Sequence, residues 1–420
     1  MPRPLHFTAA AELLSIILAG TLPADAQMER YFRSHPKLGA RDRGEIAETV
    51  YAGLRRRRSL GFLATGSDRD ATPEQTVAAA WARLRGLSAR ALEAAGYRGG
   101  ARALVERARS LDERTLPPAV RFDLPDWLHE RLLARYGADE TERLAAALNE
   151  PATLDLRVNT LKASREEVAA CLAEAGYPAE PTPYSPVGLR RRERAPLFKT
   201  RCFEEGLIEV QDEGSQLLSL LVEPKRGEMV VDFCAGAGGK TLHLANLMAN
   251  SGSVYAFDVS AKRLERLKPR LKRAGLHNVR SVVIQNERDP RVQRLEGKID
   301  RVLVDAPCSG TGTLRRNPDI KWRHIDIGKL AAVQRAILAA AAALVKPGGR
   351  LVYATCSLLR EENEQVVAEW ISGHPAFAIL PVGEILARRH VALTPDDEFL
   401  RLSPHRHHTD GFFAAVLERR

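Results

Sequence analysis

From residue 229 onward, short apolar runs alternate with helical stretches, and no other feature restricts the fold as tightly. MVVDF (229–233), VYAFDV (254–259), VRSVVIQ (279–285), DRVLVDAP (300–307) and RLVYATCS (350–357) are the runs. Strands apolar on both faces, separated by helix-length spacers, predict a parallel sheet covered by helices on each side. KPGGR at 346–350 is a sharp helix-to-strand turn, and FFAAVLE at 412–418 reads as a last strand on an antiparallel edge. The fold class is therefore α/β, and a doubly wound sheet takes its ligands beyond the carboxyl ends of its strands.

DFCAGAGGKT (232–241) joins the first strand to the first helix there, with glycines at 236, 238 and 239. Glycine lets the backbone turn tightly and approach a ligand closely. A Walker A loop needs glycine where Cys234 stands, and a dinucleotide GxGxxG needs glycine where Thr241 stands. Both phosphate-binding loops fail by one residue. Asp258 ends the second strand, where a doubly wound fold puts a carboxylate on ribose hydroxyls. A nucleoside without a phosphate chain points to S-adenosylmethionine. The bland alternative is a glycine turn and a capping aspartate with no ligand.

Two thiols sit on the same rim: Cys308 in VDAPCSGTG (304–312) and Cys356 in ATCSLL (354–359). A thiolate is a strong nucleophile. Carbon 5 of cytosine is too poor a nucleophile to take a methyl group directly. Thiolate addition at carbon 6 turns it into an enamine-like centre that can. A carboxyl group such as Asp305 can supply a hydrogen bond or proton to ring nitrogen 3. After transfer, a base removes the carbon 5 proton and the thiol leaves, a release that a second thiol could serve. Amino methyltransferases carry an acidic or amide residue followed by Pro-Pro-aromatic at this strand end. The sequence here is DAPC, which disfavours attack by an exocyclic amine. A buried cysteine is more often a small hydrophobe, a reading that suits Cys234, Cys171 and Cys202.

DAPCSGTGTLRRNPDIKWR (305–323), TCS (355–357), CAGAGGKT (234–241), VQDEGSQL (210–217), LRVNTLK (156–162) and TDGFFAAVL (409–417) closely resemble the RsmB/Sun-type RNA cytosine-5 methyltransferases. The resemblance covers the chain from about residue 120 to its end. It implies a Rossmann-like class I methyltransferase domain, S-adenosylmethionine as cofactor and RNA as substrate. It makes Cys356 the nucleophile and Cys308 the thiol assisting release. Cys234, Ala235, Gly236, Ala237, Gly238, Gly239 and Lys240, with Asp258, would hold the cofactor. Asp305 would lie between cofactor and base, and Lys240 would reach toward the active site. Asn286 stands where the family usually has an aspartate contacting the adenine, and its amide carbonyl can still accept the adenine amino hydrogen.

Residues 1–115 are rich in Ala, Leu, Arg and Glu with helical periodicity. YFRSHPKLGARDRGEIAETVYAGLRRRR within them is similar to the NusB-like RNA-binding domain of the ribosomal RNA enzymes of that family. AELLSIILAG followed by ADA imitates a signal peptide. Glu12 inside the run and the one-sided Leu13, Leu14, Ile17 and Leu18 favour a packed helix. TLPPAV (115–120) reads as a linker. The expected organisation is a helical NusB-like domain (1–115), an α+β linking domain (116–222) and the catalytic domain (223–420).

Net charge of +10 favours a polyanionic partner. LRRRRSL (54–60) reads as a solvated helix end or, equally, as a phosphate contact; Arg190, Arg191, Arg192, Arg194 and Lys199 form a second basic cluster; and Arg315, Arg316, Lys321 and Arg323 are expected to grip the RNA strand. Trp322 is open to packing or base stacking. HRHH (405–408) reads as a solvated or RNA-facing loop, not a metal site. Five cysteines without a CxxC pair suit a reducing cytoplasm and argue against a disulfide framework. No run approaches the roughly 20 apolar residues of a membrane span. The expectation is a cytoplasmic monomer making 5-methylcytosine in 16S ribosomal RNA. A transfer RNA substrate and a non-catalytic RNA-binding assembly factor are the alternatives, and a P-loop ATPase is disfavoured by Cys234.

Overall fold

A computed structural model describes residues 3–193 and 195–420, so Arg194 of the second basic cluster lies outside the described residues. The chain forms two compact units. One comprises residues up to Pro151 together with Thr313–Ile325, the other Ala152–Gly312 with Asp326–Arg420.

The first unit is helical. Pro4–Ala19 buries Leu13, Leu14 and Ile17, as the one-sided pattern predicts. Ala40–Arg55 buries Ile46, Val50 and Leu54, spaced four apart on one face. Pro73–Arg85 begins with a capping box, in which the Thr72 hydroxyl accepts from Gln75 N and Gln75 answers Thr72 N. Pro73 at its first turn and left-handed Gly86 after its last complete the expected start and stop. Phe7 meets Trp81 edge to face at the centre of this core. TLPPAV is not a free linker: Pro118–Arg121 is a short helix, and Leu116, Ala119 and Val120 are buried.

The second unit holds two sheets. Strands β1 (Leu154–Val158), β2 (Glu180–Pro181), β3 (Gly188–Arg191) and β4 (Ile208–Val210) form a small antiparallel sheet in the order β2-β3-β1-β4. Its core joins Leu156, Val158 and Leu189 to Val168 and Leu172 of the helix Arg165–Glu174. Cys171 of that helix and Cys202 of Arg201–Glu204 are bonded as a disulfide, with Cα atoms 6.3 Å apart. This corrects the expectation of unpaired, inert thiols. Cysteines 31 residues apart give no CxxC signal, and only the packing of the two helices in one core brings them together.

The larger sheet contains β5 (Met229–Asp232), β6 (Ser253–Asp258), β7 (Val279–Val283), β8 (Ile299–Asp305), β9 (Val345–Thr355), β10 (Phe377–Leu380), β11 (Leu400–Leu402) and β12 (Phe412–Arg419). Its order is β10-β12-β9-β8-β5-β6-β7, with β11 also on β12. The pairs among β5 to β9 are parallel, and β12 runs antiparallel to β9. The α/β expectation is met. β12 is antiparallel as predicted but is no edge, because β10 covers its outer side. At KPGGR, Ile299 pairs with Val345 and Arg301 with Arg350, so residues 346–349 bulge out of the ladder. Val302, Leu303, Val304, Leu351, Val352 and Tyr353 are fully buried. Each such side chain stabilises by about 1.5–3 kcal/mol.

Among the described residues one helix, Ile327–Leu344, is long and apolar enough by length and composition to cross a membrane. Here it packs on β8 and β9, burying Leu338, Ala341 and Leu344 and carrying Lys329 and Arg335. The first strand β5 lies in the middle of the parallel order, so the chain reverses direction between β5 and β8. A crevice opens at the carboxyl ends of the strands there.

Candidate active site

The loop after β5 is shaped by its glycines and fastened from outside. Gly238 has φ +85°, and a Cβ there would meet Leu267 at 2.2 Å. Only glycine fits. Thr241 donates to Asp232 Oδ2 at 2.7 Å beneath the loop. Arg157 on β1, buried, donates to Gly239 O at 2.7 Å and to Gln211. Arg270 donates to Ala237 O. Arg157 and Gln211 stand in two of the stretches that resemble the family, but nothing in their local pattern shows that they brace this loop.

A cavity of about 520 Å³ lies at the switch point. Cys234–Ala237, Asp258, Asn286, Asp305 and Cys308 line it, as does Cys356. Gly238, Gly239 and Lys240 are absent from the lining, because they begin the helix Gly239–Leu247 behind it. Asp258 accepts from Gly236 N at 2.8 Å and from Ser260 N at 2.7 Å. A carboxylate has lone pairs left for a ligand after those bonds. Asn286 sits in the turn beyond β7, its Oδ1 accepting from Arg288 N at 2.9 Å. Burial, opposed by Thr241, pushes the Asp232 carboxyl up to about 7. Burial, with Asp232, Asp305 and Asp258 nearby, pushes the Cys234 thiol well up.

The two rim thiols meet. Asp305 on β8 is paired with Ala354 on β9, so the loops that follow leave the sheet side by side. Cys308 Sγ and Cys356 Sγ are 3.4 Å apart. The Cys356 thiol against it, then burial, hold the Cys308 thiol well above the ordinary range. Lys240 reaches across to Asp305, with Nζ 2.7 Å from Oδ2. Burial works against the Lys240 charge, but Asp305 facing it outweighs that, with Asp232 and Cys356 adding, and its pKa is raised.

Beneath the thiols lies a hydrogen-bonded layer that the motifs did not announce. Glu362, fully buried, accepts from Ser309 N at 2.8 Å, from the hydroxyls of Ser309 and Ser357, and from Gln334 Nε2 at 3.0 Å. Asn363 Nδ2 donates to Ser357 O at 2.9 Å, and Gly312 N to Cys356 O at 2.9 Å. Serine directly after each cysteine was the available signal.

The family model for 16S rRNA methyltransferase RsmB/F matches residues 219–418, and an RsmF/B-like ferredoxin-like domain matches residues 124–197. The Synechocystis protein named "Probable ribosomal RNA small subunit methyltransferase B" is 38% identical over 74% of this chain and 70% of its own length. Ribosomal RNA small subunit methyltransferase B of Salmonella paratyphi B is 38% identical over 71% of this chain and 67% of its own. The chain belongs to the RsmB/F methyltransferase family. Among solved structures, PH0851 superposes with a TM-score of 0.80 at 31% identity, covering 100% of this chain and 99% of that one. NSun6 from Pyrococcus horikoshii, solved with SFG, gives 0.62 at 25% identity over 70% of this chain and 98% of its own.

RsmB/F enzymes depend on S-adenosylmethionine, and the residues fit that cofactor. Asp258 and Asp305 put carboxylates on the lining, which suits ribose hydroxyls and a cationic sulfonium better than a phosphate chain. Asp232 Oδ1 is buried with no hydrogen-bond partner, an unsatisfied acceptor under the glycine loop. The helical N-terminal unit is consistent with the NusB-like expectation.

Several members of the basic clusters of this RsmB/F chain have partners within the protein, while Arg192 and Lys199 stay exposed. Arg56, Arg57 and Arg58 pair with Glu150, Asp70 and the Asp68–Asp126 pair, and Arg55 donates to Arg315 O at 3.0 Å. Lys321 is buried, donating to Arg55 O and Asp123 O at 3.0 Å and to Asn149 Oδ1 at 2.6 Å. Trp322 is packing: its Nε1 donates to Leu54 O at 2.6 Å, and Arg57 lies over its ring. Arg315 is buried, and Arg323 pairs with Asp319. Arg190 is locked between Asp155 and Glu213. These side chains brace the protein's own carboxylates and carbonyls before any phosphate. In HRHH, His407 is half-buried beside Tyr184, its Nδ1 accepting from Ser403 N at 3.0 Å.

Proposed function

We propose that this chain methylates carbon 5 of a cytosine in 16S ribosomal RNA through a covalent adduct of Cys356 at carbon 6. The contact of two thiols at 3.4 Å beside the Lys240–Asp305 pair carries the reading. The relatives named as small-subunit ribosomal RNA methyltransferases supply the substrate class. Such a substrate would place the protein in the cytoplasm. All the lining residues come from one chain, so a monomer suffices.

S-adenosylmethionine supplies an electrophilic methyl group on a sulfonium. Cys356 adds its sulfur to carbon 6, and the electron pair of the 5,6 double bond moves toward ring nitrogen 3. The Lys240–Asp305 pair delivers a proton or hydrogen bond there, since Asp305 faces the cavity and Lys240 backs it. Lys240 also stabilises a Cys356 thiolate by its charge. Carbon 5, now enamine-like, would take the methyl group as the bond from that methyl to the sulfonium breaks, its electron pair staying on sulfur as a neutral thioether. A base then takes the carbon 5 proton, the electron pair left behind re-forms the 5,6 double bond, and the carbon–sulfur bond breaks to return the Cys356 thiolate. Cys308, in contact with Cys356, assists that release. Cys234–Ala237, Asp258 and Asn286 line the cofactor's half of the cavity.

The test is methylation of 16S ribosomal RNA by the purified protein, read by bisulfite sequencing. A single protected cytosine is expected. Methyl incorporation that bisulfite does not detect would overturn the carbon 5 assignment.

A further inference from the structure

The two cysteines lie in the loops after different strands, β8 and β9, and a 3.4 Å contact between them has to be imposed by something beneath. Each is followed by a buried serine, Ser309 and Ser357, and both hydroxyls point at Glu362. The hydroxyls also lie 3.2 Å from each other. Gln334 bonds Glu362 and, with the same nitrogen, Pro307 O at 3.0 Å, one residue before Cys308. On the other side Tyr353 donates to Glu362 O at 2.7 Å. Glu362 therefore touches the loop after β8 and the loop after β9 together. It does not line the cavity.

We propose that Glu362 is a positioning residue for the two-thiol centre: through Ser309 and Ser357 it clamps both cysteine loops and sets the distance between Cys308 and Cys356. A buried carboxylate accepting several short bonds is costly to leave unmatched, so its donors are held in one arrangement. A shift of about 1 Å in a reacting group can cost about 10²-fold in rate. The inference rests on the two-thiol reading for its catalytic consequence, but not for its geometry.

The experiment treats the full-length protein with diamide, which accepts two electrons and two protons as the thiols become a disulfide. Peptide mapping then quantifies the Cys308–Cys356 link, with no RNA present. In Glu362→Ala the rate of that link should fall about tenfold, and kcat with it, while KM and Kd for S-adenosylmethionine stay at the parent values. Glu362→Gln, which keeps an acceptor oxygen, should lie between. Linking at the parent rate in Glu362→Ala overturns the proposal. If that variant does not fold, Ser309→Ala and Ser357→Ala each remove one half of the clamp, and parent-rate linking in both overturns it equally. A chain whose linking depends on Glu362 but which makes no 5-methylcytosine would refute the proposed chemistry and leave the positioning role standing.

Discussion

The loops after β8 and β9 look alike in sequence, each a strand end followed by Cys-Ser, yet the chain treats them differently. After Ser357 it turns at once through Arg360–Glu362 into the helix Glu364–Ser372, so the Cys356 loop stays within its own unit. After Ser309 it runs only to Gly312 before Thr313–Ile325 joins the helical unit, and it returns at Asp326. One thiol is held by a short local closure, while the other sits at the root of an excursion. A nucleophile profits from a fixed position. A thiol that acts late, on release, can tolerate attachment to a segment with other duties.

The sharpest way to break this comparison is to remove each thiol separately. Cys356→Ala should abolish methylation, by about 10⁴-fold or more, because the group assigned to add at carbon 6 is gone. Methyl transfer at the parent rate would sink the division of roles. Cys308→Ala should slow turnover by about 10²-fold or more and accumulate a covalent protein–RNA species on denaturing gels. If the adduct accumulates in Cys356→Ala instead, the two roles are exchanged.

What could be read from the sequence follows the same contrast. The parallel sheet, the rim and both thiols were legible because strand periodicity and Pro-Cys or Thr-Cys signatures are local. The destinations of Arg55–Arg58, Lys321 and Trp322 were not. Their partners Asp70, Asp123 and Asn149 are distant in sequence, and a run of arginines reads alike whether it meets phosphates or carboxylates. Glu362 was invisible for a related reason: a glutamate in REENEQ looks like a solvated helix start until Ser309 and Ser357 are folded onto it.

The excursion itself gives the next test. Lys321 satisfies three oxygens inside the helical unit, and burial lowers its pKa. Lys321→Met strands those oxygens and should destabilise that unit by about 2–3 kcal/mol, seen as a lowered urea midpoint. RNA affinity at low salt, and its dependence on salt, should stay unchanged in the folded variant. A salt slope smaller by about one would mean that Lys321 meets a phosphate after all.

The smallest effect is also the most direct measure of how the thiols sense each other. Cys356 is the leading cause that raises the Cys308 pKa, followed by burial. A thiol with a raised pKa carries less thiolate at a given pH, so alkylation of Cys308 should begin only at alkaline pH. Replacing Cys356 by alanine removes the leading cause, so the Cys308 titration should move down, and alkylation at pH 8 should quicken by about tenfold for each unit moved. Burial and the charge of Glu362 remain in that variant, so Cys308 should still titrate above an ordinary thiol. The linked stability has the same sign. A folded-state pKa above the unfolded value stabilises fully below the unfolded value and is lost as pH rises through the folded one. The parent chain should therefore lose more stability than Cys356→Ala on titration above the ordinary thiol range. An unmoved Cys308 profile would mean that the contact at 3.4 Å does not couple the two thiols, and that burial alone separates their behaviour.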